Sequence, residues 1–111
     1  MQIEYSDNLL TIGGNTHTLG RRILDAATDG ALVFVVYDYM AYPKNRPALN
    51  LVALDSEANL IWTVGDTPID SPAASYTCIE STTPLIVGNF AGFHCTIDPQ
   101  CGDLLESRFT K

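Results

Sequence analysis

The chain alternates short runs of β-branched and aromatic residues with clusters of turn residues, and that alternation predicts strands throughout. Residues 31–37, Ala-Leu-Val-Phe-Val-Val-Tyr, are apolar at every position. Neighbouring strand side chains point to opposite sides, so a run of this kind has both faces covered. Residues 50–54 and 60–64 flank a short acidic turn and predict a hairpin. Further strands are predicted over 76–80, 85–89, 93–97 and 104–109. Residues 9–12 and 16–19 form an opening hairpin around Gly13-Gly14-Asn15. Residues 21–28 are too short for a free-standing helix. They fit either a helical turn or a strand entering the Asp29-Gly30 turn, and the surrounding pattern favours the strand.

The expected fold is therefore all-β: one domain over residues 1–111, an eight- to nine-stranded antiparallel meander closing as a barrel or sandwich. Closure is expected because an open sheet of that size leaves two templating edges. Two Pro-containing stretches, 38–47 and 65–75, cannot be central strand and are predicted as irregular loops.

Composition narrows the function classes. Six Lys and Arg stand against thirteen Asp and Glu, a formal charge of −7. Binding nucleic acid requires clustered cations to neutralise phosphates, and an anionic membrane surface makes the same demand. Neither is expected as a partner. No apolar run approaches the ~20 residues of a membrane-spanning helix, and residues 1–7 lack the pattern of a signal peptide. The expectation is a soluble, cytoplasmic protein. Cys78, Cys95 and Cys101 form no Cys-x-x-Cys pair and read as reduced thiols rather than a disulfide framework.

Candidate chemistry is sparse. His17 or His94 with the cysteines matches no standard zinc spacing. Adjacent His94 and Cys95 point to opposite faces of a strand, so they cannot form a dyad. Cys78 with His94 requires their strands to pair. Gly13-Gly14-Asn15 lacks the Lys, the Ser/Thr and the helix of a phosphate loop. Asp55 with Glu57, and Asp98 with Asp103, lack the spacing of a calcium loop and read as solvated turn residues. Trp62 lies on one strand face with Leu60 and Val64 and reads as core. No catalytic residue, cofactor or metal is expected.

The loop after residue 37 is different. It carries Tyr37, Asp38, Tyr39, Met40 and Tyr42, with Lys44 and Arg46 as its cations. Tyrosines on irregular backbone give a partner large contact area at small entropic cost. The second loop adds Asp66, Asp70 and Ile69. If both loops emerge at one end, they form an acidic rim around aromatic anchors, with Asp38, Tyr39, Tyr42, Asp66 and Asp70 as the expected partner-binding residues.

Two pieces of the chain resemble one another. Residues 50–62, Asn-Leu-Val-Ala-Leu-Asp-Ser-Glu-Ala-Asn-Leu-Ile-Trp, run strand, Asp turn, strand. Residues 92–105 repeat the form around Asp98, and Asp55 and Asp98 lie about one propeller blade apart in sequence. Residues 50–62 resemble the hairpins of pyrroloquinoline-quinone-type propeller repeats, although Ala58-Asn59 replaces the usual Gly. The chain is too short for a full propeller of at least four ~40-residue blades. Its last sixty residues or so, ending Ile97-Asp98-Pro99, Gly102, Leu104-Leu105 and Phe109-Thr110-Lys111, are similar to a group of small stand-alone bacterial proteins. Some of that group are immunity proteins of interbacterial toxin systems, including contact-dependent growth inhibition. The resemblance implies a non-enzymatic inhibitor covering the active site of a basic toxin, with a nuclease (RNase) as the expected class. The alternative is a small β-domain acting as a ligand-binding or assembly module.

Overall fold

The computed structural model describes residues 1–110; Lys111, the last residue of the motif quoted above, lies outside the described residues. The described residues form eleven strands in three antiparallel meanders. Blade 1 comprises β1 (Ile3–Ser6), β2 (Leu9–Ile12) and β3 (Asn15–Thr18). Blade 2 comprises β4 (Ile23–Thr28), β5 (Val33–Tyr37), β6 (Leu51–Leu54) and β7 (Leu60–Thr63). Blade 3 comprises β8 (Tyr76–Thr82), β9 (Leu85–Asn89), β10 (Phe93–Ile97) and β11 (Leu104–Phe109). Among the described residues no helix is long and apolar enough to cross a membrane.

Of the expected barrel or sandwich, no closed barrel forms among the described residues. Three short sheets stack face to face as an open fan, with β4 packed between β1 and β8 along the inner side. The short hairpins explain this. Each meander stops after three or four strands, so the chain buries apolar faces by stacking sheets rather than by curling one sheet onto itself. The edges that closure would have removed remain, and the strands at them are short or bulged.

Blade 2 is covered on both faces, as the unbroken apolar run in β5 predicts. Val33 and Val35 pack with Leu10, Ile12 and Leu54 against blade 1. Phe34 and Val36 pack with Leu51, Trp62, Tyr76, Val87 and Ile97 against blade 3. The end blades turn polar faces outward: Glu4, Thr11 and Thr16 on one, Glu80, Thr96 and Arg108 on the other. Polar outer faces terminate a stack of repeats, just as capping repeats do in solenoids.

The internal repeat is structural. Asp55 turns β6 into β7 and Asp98 turns β10 into β11, equivalent hairpins of adjacent blades. Asp55 accepts from the Glu57 and Asn59 amides at 2.8 and 2.9 Å, and Asp98 accepts from the Gln100 amide at 2.9 Å. Ala58 sits at φ 63°, the left-handed region, where the resembling repeats carry Gly. The segment left open between helix and strand is β4. Strand β1 lies before the opening hairpin, where the sequence pattern gave no strand.

Asp25, at a bulge in β4, holds the three inner strands together. Its carboxylate accepts from the Ile79 amide of β8 at 2.8 Å, from the Ala26 amide at 2.9 Å and from the Tyr5 hydroxyl of β1 at 3.4 Å.

Candidate functional site

The two Pro-containing loops leave β5 and β7 at the same end of the fan and meet there. Each contains one turn of 3-10 helix, Tyr39–Ala41 and Pro72–Ala74, capped by Asp38 and Ser71. A buried asparagine fixes their roots. Asn50 donates to the Tyr37 and Tyr76 carbonyls at 2.8 and 2.7 Å, and its side-chain oxygen accepts from the Tyr76 amide at 3.0 Å. The Ala48 amide donates to Ser75 Oγ at 2.7 Å, and the Tyr76 hydroxyl donates to the Asp66 carbonyl at 2.9 Å. Burial, and then neighbouring Cys95, push the Tyr76 hydroxyl pKa far upward, so it stays a neutral donor.

Between the loops lies an apolar cleft of about 390 Å³, walled by Tyr39, Met40, Pro43, Pro72, Ala73 and Phe90, with Lys44 and Arg46 at its margin. Tyr39 and Phe90 meet edge to face, ring centres 5.2 Å apart. Met40 and Phe90 are 57% and 64% exposed, large apolar groups in water beside a concave surface. Arg46 also lines a second hollow of about 360 Å³ with Leu49, Asp66, Ile69 and Asp70.

The expected binding residues divide. Tyr39, Asp66 and Asp70 face this end. Asp38 is half-buried. It accepts from the Met40 amide at 2.9 Å and lies 3.9 Å from Arg22. Tyr42 points away, into a third cavity of about 370 Å³ between blades 1 and 2, walled by Leu19, Tyr37, Leu49, Leu54 and Leu60. There the Arg21 guanidinium stacks over the Tyr42 ring at 4.6 Å. Burial raises the Tyr42 pKa and Arg21 opposes it. Phe90 was not legible as a site residue, because it stands alone in the β9–β10 turn. Only the tertiary fold carries that turn beside Tyr39.

The rim is mixed rather than acidic throughout. Asp66 accepts from the Thr67 amide at 2.8 Å, and Asp29, Asp55 and Asp98 likewise cap their own turns. Much of the carboxylate surplus is thus placed by turn chemistry, spread over the molecule.

The outer face of blade 3 carries the other polar cluster. Cys78 and His94 do not pair as a dyad, because β9 runs between their strands with Gly88 opposite both. Glu80 crosses that gap. Its carboxylate takes His94 Nδ1 at 2.7 and 2.9 Å, while His94 Nε2 meets Thr110 Oγ1 at 2.6 Å. A Cβ on Gly88 would lie 2.9 Å from Glu80 Oε2, so glycine there is what lets Glu80 reach His94. Buried Cys95 lies on the opposite face, its pKa pushed up to about 11 by burial, which leaves it a neutral thiol. Among the described residues no group of three or more His, Cys, Asp or Glu side chains is placed to hold a metal ion.

Fold and loop geometry together define a small antiparallel β-protein of propeller-blade-like sheets with its irregular loops gathered at one end. Residues 1–109 match the family described as Domain of unknown function (DUF7957), and the chain belongs to that family. No curated protein matches it. Among solved structures the chain is similar to part of the crystal structure of BamB from Moraxella catarrhalis, with a TM-score of 0.59 at 17% identity. That likeness covers 98% of this chain and 32% of the BamB chain, so this protein spans about a third of the BamB propeller. At such identity the likeness is one of fold. It fits the propeller-type hairpins expected from residues 50–62.

Proposed function

We propose that the chain is a non-enzymatic protein-binding module whose loop end docks on its partner. The form of that reading favoured by sequence resemblance is a cytoplasmic immunity protein that covers the active site of a basic toxin of the nuclease class. The observation that carries the binding reading is the convergence of Tyr39, Met40 and Phe90, from two blades, around an apolar cleft beside Asp66 and Asp70. Aromatic and methionine side chains around a hollow are what hot spots are made of. The −7 charge adds attraction at long range, where electrostatic steering takes association towards ~10⁸–10⁹ M⁻¹ s⁻¹ at low salt.

The test is co-purification of the tagged full chain with the product of the adjacent gene, followed by protection of cells or substrate from that product. Phe90→Ala with Met40→Ala is expected to weaken binding by ten- to a hundredfold through faster dissociation. Changing Asp38, Asp66 and Asp70 together to Ala is expected to slow association and flatten its salt dependence. Affinity within threefold of the parent in that triple variant removes these carboxylates from the contact. Absence of protection ends the immunity reading, while a loop-end complex without protection leaves a binding module of another kind. A second reading, an assembly or ligand-binding module, draws on a different observation, the open cavity beside blade 1.

A further inference from the structure

Blades 2 and 3 have four strands each and blade 1 has three. The inner strands β1, β4 and β8 correspond, so the position without a strand in blade 1 is the outermost, beside β3. After β3 the chain turns back at once. The Leu19 amide donates to the Asn8 carbonyl at 2.8 Å and the Ile23 amide to the Asp7 carbonyl at 2.7 Å, which commits residues 19–23 to entering β4.

Three independent features mark the gap. The first is the edge itself. In a two-residue hairpin the pair next to the turn, Ile12 and Asn15, exchanges both ladder bonds, so the next pair, Thr11 and Thr16, does not. The Thr16 backbone groups therefore point away from β2, outward from the blade. The second is the surface a fourth strand would cover. The outer half of blade 2 on this side is open, its aliphatic side chains sharing the cavity wall with Arg21, Tyr37, Tyr42 and Thr63. Val52, Leu54, Leu60 and Leu49 line the 370 Å³ cavity, and Leu60 is 62% exposed. The equivalent half of the blade 2–blade 3 interface is closed, with Trp62 packed beneath Gly102. The third is an orphaned polar atom. His17 Nε2, on the face of β3 that looks towards blade 2, is buried without a hydrogen-bond partner among the described residues.

We propose that blade 1 accepts an extended segment of a partner protein as its fourth strand. The segment pairs with β3, sets alternate apolar side chains into the Leu49–Leu54–Leu60 cavity and offers His17 the partner it lacks. Adding a strand to an open edge is an established mode of peptide recognition: the ladder gives affinity and pockets for alternate side chains give selectivity. The surroundings specify the charge of the segment. The charges along the cavity differ: Arg21 lines it over Tyr42, and the β6–β7 turn carries Asp55 and Glu57 next in sequence to its wall residue Ala58, so a lysine or arginine is favoured at the Ala58 wall and disfavoured beside Arg21. A second copy of this chain fits worse, because two bodies of charge −7 would be brought edge to edge. The inference rests on the reading of the chain as a protein-binding module, but uses a surface separate from the loop end.

The test uses a phage-displayed random heptapeptide library panned on the full-length chain. Enriched peptides are expected to alternate apolar with polar residues and to carry a basic residue near one end. Their binding should fall at least tenfold with Leu60→Ser, an exposed change that leaves the fold intact, and with Thr16→Pro, which removes an outward amide. It should change less than twofold with Phe90→Ala. Hydrogen exchange on the peptide complex should show new protection at the Thr16 amide. The proposal is overturned if no peptide is enriched over the Thr16→Pro surface, or if Phe90→Ala abolishes binding while Leu60→Ser does not. It is equally overturned if light scattering shows a dimer in which the Thr16 amide is already protected. Phe90→Ala in the toxin-protection assay reports on the loop end alone, so either surface can fail without the other.

Discussion

The two interfaces of the fan are built to different standards. Between blades 2 and 3, Trp62 is 7% exposed, packs against Phe34 at 6.1 Å between ring centres and donates from Nε1 to the Pro99 carbonyl at 2.8 Å. Its ring lies so close over Gly102, at φ 82°, that a Cβ there would be 2.5 Å from Cε3. Asn50 ties the loop roots together, with two buried hydrogen bonds to Tyr76 of β8 and a third to the Tyr37 carbonyl of β5. Between blades 1 and 2 the buried set is aliphatic and smaller, from Leu10 and Ile12 to Val52 and Leu54. It ends in an open cavity and an unpartnered His17 nitrogen. Its polar links lie at the inner edge, from Tyr5 to Asp25 at 3.4 Å and from the Ile23 amide to the Asp7 carbonyl at 2.7 Å, so the outer part of blade 1 is held by aliphatic burial and is freer to open locally. The complete interface is the scaffold for the loop end, and the incomplete one is the surface proposed above to take a partner's strand.

The sharpest way to break this contrast is to remove its largest ring. Trp62→Ala is expected to destabilise the protein by about 4 kcal/mol, the cost of an aromatic cavity plus an orphaned carbonyl, read as a lower urea midpoint. Leu10→Ala, in the weaker interface, is expected to cost about 2 kcal/mol, because blade 1 can settle into the space. Equal costs would show that the two interfaces are equally tight. Native-state hydrogen exchange sharpens the same point. Amides of β2 should exchange through an opening of lower free energy than those of β5 and β9, and the difference should shrink when a strand-adding peptide is bound.

Gly88→Ala is expected to cost about 1 kcal/mol by displacing Glu80 from His94. The matching observation is faster exchange at the Thr110 amide, since His94 also holds Thr110. The smallest effect concerns pH. The Asn59 amide, then the Asn59 side chain and the Glu57 amide, hold the Asp55 carboxyl below its ordinary 3.8. A depressed folded pKa stabilises the native state above the unfolded value and loses that contribution as pH falls through the folded one. The stability gap between the parent and Asp55→Ala should therefore be widest near neutrality and close below pH 3.8.

Local chemistry made most of the strands legible. Asp55 and Asp98 announce turns because a carboxylate beside its own following amides closes a hairpin wherever it occurs. The seven apolar residues at 31–37 announce a strand covered on both sides because side-chain alternation follows from covalent geometry. The same local rule explains why the acidic composition was a poor guide to a binding face. Many aspartates are where turns need them.

What the sequence by itself determined was the all-β class, the hairpins, the blade-length repeat and the position of the two irregular loops, all of which depend on residues within a few places of one another. Only the tertiary structure decided that three sheets stack instead of one closing, that Phe90 comes to Tyr39 while Tyr42 turns away, and that blade 1 stops a strand short. Those outcomes depend on which apolar faces meet across tens of residues. That meeting is settled by packing, and no local pattern encodes it.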